Sequence, residues 1–238
     1  MKLKLVKKTI EADSIKSFYW QPEKKVNYLP GQYFYITQPE IEGKDYRGIT
    51  RHFTLSSSPT EAELRITTNI RPESEFKLSL DKLKEGEEVD GEGPNGTFIL
   101  DEFEKGDHVL IAGGIGITPF RSFIKYNVDN KLIKTRIHLL YSVSTPEEIL
   151  FKKELDEWAK AENIKIDVTV TKPEESKIKW SGYSGRIDSQ MVEKLTSYLV
   201  KPTIWLCGPP KMVESMEKTL TSSKIPSDKI RVEKFTGY

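Results

Sequence analysis

Cysteine is almost missing from this chain: Cys207 is the single example in 238 residues. An intrachain disulfide is therefore impossible. An iron–sulfur cluster held by the chain's own thiolates is excluded as well, because such clusters take several cysteines. Charge of one sign is also lacking. Thirty-seven Lys and Arg stand against 36 Asp and Glu, a net charge of +1, which leaves no global footprint for nucleic acid. No apolar run nears the roughly 18 residues that a membrane span needs. The N-terminal MKLKLVKKTIEADS alternates charge with β-branched residues and has no apolar signal core. These absences point to a soluble, cytoplasmic globular protein, and no metal ligands stand out. The 37% hydrophobic content suffices for a core, and the length suits one large or two ordinary domains.

What is present falls into two grammars. Up to about residue 102 the chain reads as short strands: KLKLVKKTI, SIKSFYW, QYFYITQ, RHFTLSS, ELRITTNI and EVDGEG. Turn signals such as LPGQ and GPNG separate them. One helical stretch, SEFKLSLDKLKEG, interrupts them with Phe76, Leu80 and Leu83 at helical spacing. The expectation is an antiparallel β-barrel with one capping helix over residues 1–102. After the charged DEFEKGD (101–107), strand and helix alternate: HVLIAG, PFRSFIKYNVD, RIHLLYSV, PEEILFKKELDEWAKAE, KIDVTVT, DSQMVEKLTSYL, TIWLCG and PKMVESMEKTLTSS. That order implies a Rossmann-like α/β domain over 103–238, with a parallel sheet and helices on both faces.

Three stretches carry chemistry. In AGGIGITPF (112–120), Gly114 and Gly116 let backbone approach a ligand, Thr118 is placed to cap the next helix, and Pro119 suits its first turn. The pattern is GxGxxP, only part of the dinucleotide fingerprint. Its bland alternative is a tight turn that binds nothing. TIWLCGPPKMV puts Cys207 and Gly208 at the carboxyl end of a strand, where ligands sit in open parallel sheets, with Pro209 opening a helix. A buried small apolar residue is the alternative for Cys207. The third stretch, RHFTLSSSP (51–59), concentrates hydroxyls beside a lone guanidinium. By itself it reads either as a solvated turn or as a site for something flat, polar and phosphorylated.

Taken in order, PGQY, RHFTLSSSP, SEFK, GPNGTF, GGIGITPF, EEILFKKEL, GYSGRI, CGPPKMV and the terminal EKFTGY resemble the ferredoxin–NADP reductase superfamily. The likeness is greatest to its short members, which lack an attached iron–sulfur domain. The resemblance implies FAD and NAD(P)H as cofactors and an NAD(P)H-dependent flavoprotein reductase as the activity. Hydride would pass from nicotinamide to the flavin N5. Electrons would then go to an acceptor such as ferredoxin, flavodoxin, free flavin, a quinone or an oxygenase component.

Residue by residue, the resemblance implies that Arg51 pairs with the flavin pyrophosphate, a task suited to a guanidinium fork. Phe53 would lie against the flavin or its ribityl chain, and Thr54 would hydrogen-bond N5. The usual aromatic at 53 is tyrosine, so a hydroxyl contact is missing. His52 reads as a strand-edge surface residue. Ser56 counts among the cofactor contacts, the rest of the serine run being unassigned. Ser74 would meet the pyrophosphate at a helix start. Nicotinamide would dock along Gly114, Gly116, Thr118, Pro119, Gly208 and Pro209, with Cys207 and Thr54 flanking the hydride. Glu233 would handle charge or protons, and Phe235 would cover the flavin, with Tyr238 as the competing lid and core packing as the alternative. Lys172 and Arg186 are the candidate contacts for a 2′-phosphate. YSVSTPEE, with two glutamates and no arginine, argues against a phosphate after the second strand. NADH and NADPH both stay open. Lys24, Lys25 and Lys44 are candidates for steering an acidic carrier. The competing reading is an accessory flavin electron-transfer subunit that needs a partner enzyme. The dihydroorotate dehydrogenase relative of that kind carries a cysteine cluster, which this chain lacks. A plain binding barrel would leave GGIGITP and CGPP unexplained.

Overall fold

A computed structural model describes residues 1–100, 105–223 and 225–236. Six strands form the first sheet: β1 (Lys2–Ala12), β2 (Ile15–Pro22), β3 (Tyr33–Thr37), β4 (Thr50–Thr54), β5 (Leu64–Asn69) and β6 (Glu88–Asn95). They are antiparallel in the order β4-β3-β6-β1-β2-β5. Their alternation explains the register: Leu3 and Leu5 of β1, Phe18 and Trp20 of β2, and Phe34 and Ile36 of β3 all point inward. A bridge between Leu55 and Ile66 joins the two outer strands and closes the barrel. Helix α1 (Glu75–Lys82) caps it, with Phe76 and Leu80 in the barrel core.

The second sheet is parallel, in the order β10-β9-β8-β7-β11-β12. Its strands are β7 (Gly106–Gly113), β8 (Thr135–Val143), β9 (Ile164–Val170), β10 (Tyr183–Ser184), β11 (Thr203–Gly208) and β12 (Ile230–Lys234). Strand β7 is buried on both faces, so its side chains serve two cores. Leu110 and Ala112 meet α2 (Ile117–Asp129) and α3 (Lys152–Trp158). Val109 and Ile111 meet α4 (Ser189–Thr196) and α5 (Pro210–Ser222). This two-sided burial is why HVLIAG is continuously apolar. Among the described residues no helix is long and apolar enough to cross a membrane.

Three expectations change. PEEILFKKELDEWAKAE is not one helix. It is a single turn at Pro146–Glu148 followed by α3, and Phe151 between them takes a left-handed backbone (φ 57°). Burying Ile149, Leu150 and Phe151 in one core cluster breaks the helical run. The charged boundary DEFEKGD is partly strand: Asp107 belongs to β7 and pairs with Arg136 of β8. Residues 101–104 of it lie outside the described residues. Helix α1 also stops at Lys82, because Leu83 turns extended (ψ 139°).

Candidate active site

The two sheets meet where several of the sequence candidates converge. Thr54, the last residue of β4, pairs with Tyr33 of β3. The Tyr33 hydroxyl is pushed up from its ordinary pKa, first by its hydrogen bond with Tyr35, then by burial and by the charges of Tyr35 and Glu233. Glu233 is therefore within electrostatic reach of this end of the barrel. Glu233 sits on β12 opposite Cys207 of β11, and burial raises its carboxyl above the ordinary range. The backbone of Cys207 in turn touches Gly116. A Cβ at 116 would lie 2.3 Å from the Cys207 carbonyl oxygen, so only glycine fits. Gly114 takes a left-handed conformation (φ 51°), and nothing lies within 4 Å of where its Cβ would be. The glycine turn thus packs on β11 at one residue and faces open space at the other.

A second corner forms at the start of α1. Ser74 is its N-cap, accepting the Lys77 N–H at 3.3 Å. The Arg51 guanidinium turns toward this end, lying 5.3 Å from the Phe76 ring centroid. It donates to the carbonyls of Gly48 (2.9 Å) and Arg47 and to the Asp45 carboxylate. Asp45 also accepts the Phe76 N–H at 3.0 Å and the Ser74 hydroxyl at 3.1 Å. Burial pushes the Asp45 carboxyl up, but the Phe76 and Arg47 N–H groups and the Arg51 charge outweigh it and hold it below the usual carboxylate range.

Several sequence candidates sit differently from expectation. Phe53 is 3% exposed and packs against Phe76 inside the barrel, with ring centroids 5.9 Å apart, so it offers a ligand no face. The aromatic surface beside Thr54 comes instead from Tyr33, Tyr35 and His52, whose rings lie 5.2–6.1 Å apart. His52 is exposed on the outer strand β4, as expected, and also forms one side of this aromatic cluster. Ser56 is buried and its hydroxyl bonds to the Arg65 carbonyl and the Thr67 hydroxyl, so it braces β5. Thr118 lies inside α2, whose N-cap is Gly116, and its hydroxyl donates back to the Ile115 carbonyl at 3.1 Å. Pro119 is in the first turn of that helix, as its ring predicts. Cys207 is 0% exposed, and burial, then the Glu233 charge, raises its thiol well above the ordinary value. It is a core residue and presents no sulfur to a ligand. Phe235 is 8% exposed within the core cluster, and its N–H bonds the Gly208 carbonyl at 3.0 Å. In this structure it packs and does not stand as a lid. Tyr238 lies outside the described residues. Lys172 is engaged with Glu175 at 2.9 Å. Arg186 instead lines a cavity of about 600 Å³ at the carboxyl ends of the parallel strands, with Ser142, Pro209, Lys211 and Met212.

Sequence reasoning missed a charged brace between the two sheets. Arg121 of α2, 1% exposed, grips Glu61 through two hydrogen bonds (2.7 and 3.0 Å), donates to the Ser56 carbonyl (2.7 Å) and pairs with Glu154 of α3. Glu154 also pairs with Arg65 of β5, which reaches Glu11 of β1 at 2.7 Å. Both guanidiniums lie over the Phe151 ring, at 4.6 and 5.5 Å. Ser122 adds a bond to the Ser57 carbonyl at 2.7 Å.

Comparison with known proteins agrees with this layout. The profile of the oxidoreductase FAD-binding domain matches residues 2–100, and that of the oxidoreductase NAD-binding domain matches 110–218. The chain belongs to the ferredoxin–NADP reductase superfamily. It is 31% identical over 200 residues to sulfhydrogenase 1 subunit gamma of Pyrococcus furiosus, covering 82% of this chain and 64% of that one. It is 24% identical over 238 residues to the glycine betaine monooxygenase reductase subunit of Chromohalobacter salexigens, covering 98% and 63%. The chain spans 58–63% of the length of such curated relatives, flavohemoproteins among them. In structure it superposes on a ferredoxin NADP+ reductase from Neisseria gonorrhoeae with a TM-score of 0.78 at 19% identity, covering 98% of both chains. The FAD/NAD-binding domain of a nitric oxide dioxygenase from Vibrio cholerae gives 0.80 at 20%, again covering 98% of both.

Members of this superfamily built from these two domains bind FAD and a nicotinamide dinucleotide. The Ser74 corner fits the flavin's diphosphate in kind. A guanidinium, a hydroxyl and a helix-terminal N–H already converge there on one of the chain's own anions, Asp45.

Proposed function

We propose that this chain is an NAD(P)H-dependent flavin reductase that hands electrons to a separate acceptor, with an FAD domain over residues 1–102 and a nicotinamide domain over 103–238. The observation that carries the reading is the tandem of an FAD-binding profile over the barrel and an NAD-binding profile over the parallel sheet, with Glu233 of the second sheet within electrostatic reach of Tyr33, the strand partner of Thr54. The bound flavin supplies hydride acceptance and electron release in one- or two-electron steps. The chain's residues supply place and charge. Arg51 and Ser74 hold the diphosphate. Thr54 offers its hydroxyl to the reacting edge of the ring. Tyr33, Tyr35 and His52 wall the neighbouring surface. The open side of Gly114 and the Pro209 turn admit the nicotinamide, while Arg186 and Lys211 meet the phosphates of its nucleotide end. Glu233, kept protonated to higher pH by burial, is the proton-holding group beside the junction. The brace at Arg121 fixes the two domains so that the reactants meet in near-attack geometry.

Relatives named as subunits of monooxygenase and hydrogenase systems support a protein acceptor, such as an oxygenase component, ferredoxin or flavodoxin. They equally support an accessory subunit that turns over only with its partner. The deciding experiment is anaerobic reduction of the flavin-loaded chain with NADH and with NADPH, followed by a screen of acceptors. Bleaching of the flavin by either nucleotide is expected; a colourless protein without flavin affinity would defeat the reading. Turnover of a dye acceptor by the chain alone separates the reductase from the accessory subunit.

A further inference from the structure

The corner at α1 is built for an anion, and the chain supplies one itself. Asp45, from the loop between β3 and β4, takes four donors: the Phe76 and Arg47 N–H groups at 3.0 and 2.9 Å, the Ser74 hydroxyl at 3.1 Å and the Arg51 guanidinium. Beside it lies a cavity of about 430 Å³ lined by Tyr46, Arg47, Arg71, Ser74 and Lys77. Tyr46 is 90% exposed at its rim. The Lys77 ammonium is lowered to about 8, first by burial and then by the positive charges of Arg71, Arg47 and Arg51. Arg47, Arg71 and Lys77 thus line the cavity with one acid, Glu73, and Arg51 adds a fourth cation beside Asp45. A diphosphate carries more charge and more acceptor oxygens, and it would use the same donors.

Resting on the assignment of Arg51 and Ser74 to the flavin diphosphate, we propose that Asp45 sets the FAD affinity of this chain: its carboxylate holds the diphosphate position and yields it when FAD binds. Two anions cannot share one set of donors, because like charges in a desolvated site cost several kcal/mol. The loop is suited to letting go. Gly43 and Gly48 flank the carboxylate, both at positive φ (73° and 79°) with nothing within 4 Å of a Cβ. The alternative is a fixed brace, in which Asp45 stays put and pre-positions Arg51 for the phosphate.

Titration of the flavin-stripped full chain with FAD and with riboflavin, followed by flavin fluorescence, separates the two. Displacement predicts that Asp45→Ala tightens FAD by about tenfold or more, the equivalent of about 1.4 kcal/mol of relieved repulsion, and leaves riboflavin, which has no phosphate, unchanged. Asp45→Asn, which keeps the shape of the cap, shifts FAD in the same direction. Weaker or unchanged FAD binding in a folded Asp45→Ala chain overturns the proposal, as does equal tightening of riboflavin. Should Asp45→Ala fail to fold, the native chain still decides. Displacement predicts faster amide hydrogen exchange across residues 42–48 on saturation with FAD, and slowed or unchanged exchange overturns it. A native chain and variants that all fail to bind FAD overturn the cofactor assignment together with this inference. A native chain that binds FAD with Asp45 unmoved overturns the inference alone.

Discussion

Arg51 and Arg121 are both drawn into carboxylate clusters, yet the two regions differ in kind. Around Arg121, two glutamates, a backbone carbonyl and two aromatic rings consume the whole guanidinium between the sheets. Around Arg51, one loop aspartate and several loop carbonyls do the work at the edge of a cavity. The first cluster spends its charges on architecture. The second keeps its partners on a short loop, where a ligand can replace them. Burial and a count of ion pairs would rank Arg121 as the more important residue, whereas motif reading picks only Arg51. Each method sees one of the two roles.

The comparison breaks most sharply at Arg121. Arg121→Ala leaves Glu61 without its cation and Glu154 with Arg65 alone, and is expected to cost about 3–5 kcal/mol of stability, read as a lowered urea midpoint. A drop under about 1 kcal/mol would place Arg121 with ordinary surface pairs. Arg51→Ala should do the reverse. FAD affinity falls by about ten- to a hundredfold with the loss of charged hydrogen bonds worth about 1.5–3 kcal/mol, while the urea midpoint moves much less than for Arg121→Ala. Acid distinguishes the regions further. Burial would raise Glu154, but Arg121 and then Arg65 hold it below its ordinary value of 4.5. The stability it contributes is therefore complete above pH 4.5 and is lost as pH falls through the lowered value. Glu154→Gln should flatten that part of the stability–pH curve, and an unchanged curve would remove Glu154 from the brace. The smallest effect is expected at Cys207. Its thiol should resist alkylation in the native protein and react only on unfolding, and rapid native labelling would restore it to the surface of the site.

Much of the scaffold was legible because it obeys local rules. Alternating burial marks β1 to β3, continuous apolarity marks β7, and Gly116 is dictated by close approach to the backbone of β11. Helix α3 was misjudged because tertiary burial of Leu150 and Phe151 overrides a good helical pattern. Phe53 was placed against the flavin because a motif states which residues recur and not which way a strand's side chains point. The brace was invisible because Glu11, Glu61, Arg65, Arg121 and Glu154 come from five separate stretches, and no spacing links them. In the sequence Asp45 is one acidic residue in a polar loop, and no motif marks it. Only the start of α1, brought beside it by the fold, gives its charge a meaning.

The serine run at 56–58 has a consequence for how such a protein can diverge. What the second sheet grasps there is main chain: Arg121 and Ser122 bind the carbonyls of Ser56 and Ser57. Every amino acid brings a carbonyl, so no substitution at 56 or 57 can delete this handhold. The Ser56 and Ser57 hydroxyls instead bond within the barrel, to Thr67, Tyr28 and the backbone of Arg65. Drift at these serines would therefore loosen the barrel from within while the grip between halves persists. Lineages are free to rewrite this stretch so long as they keep the two residues that reach for it.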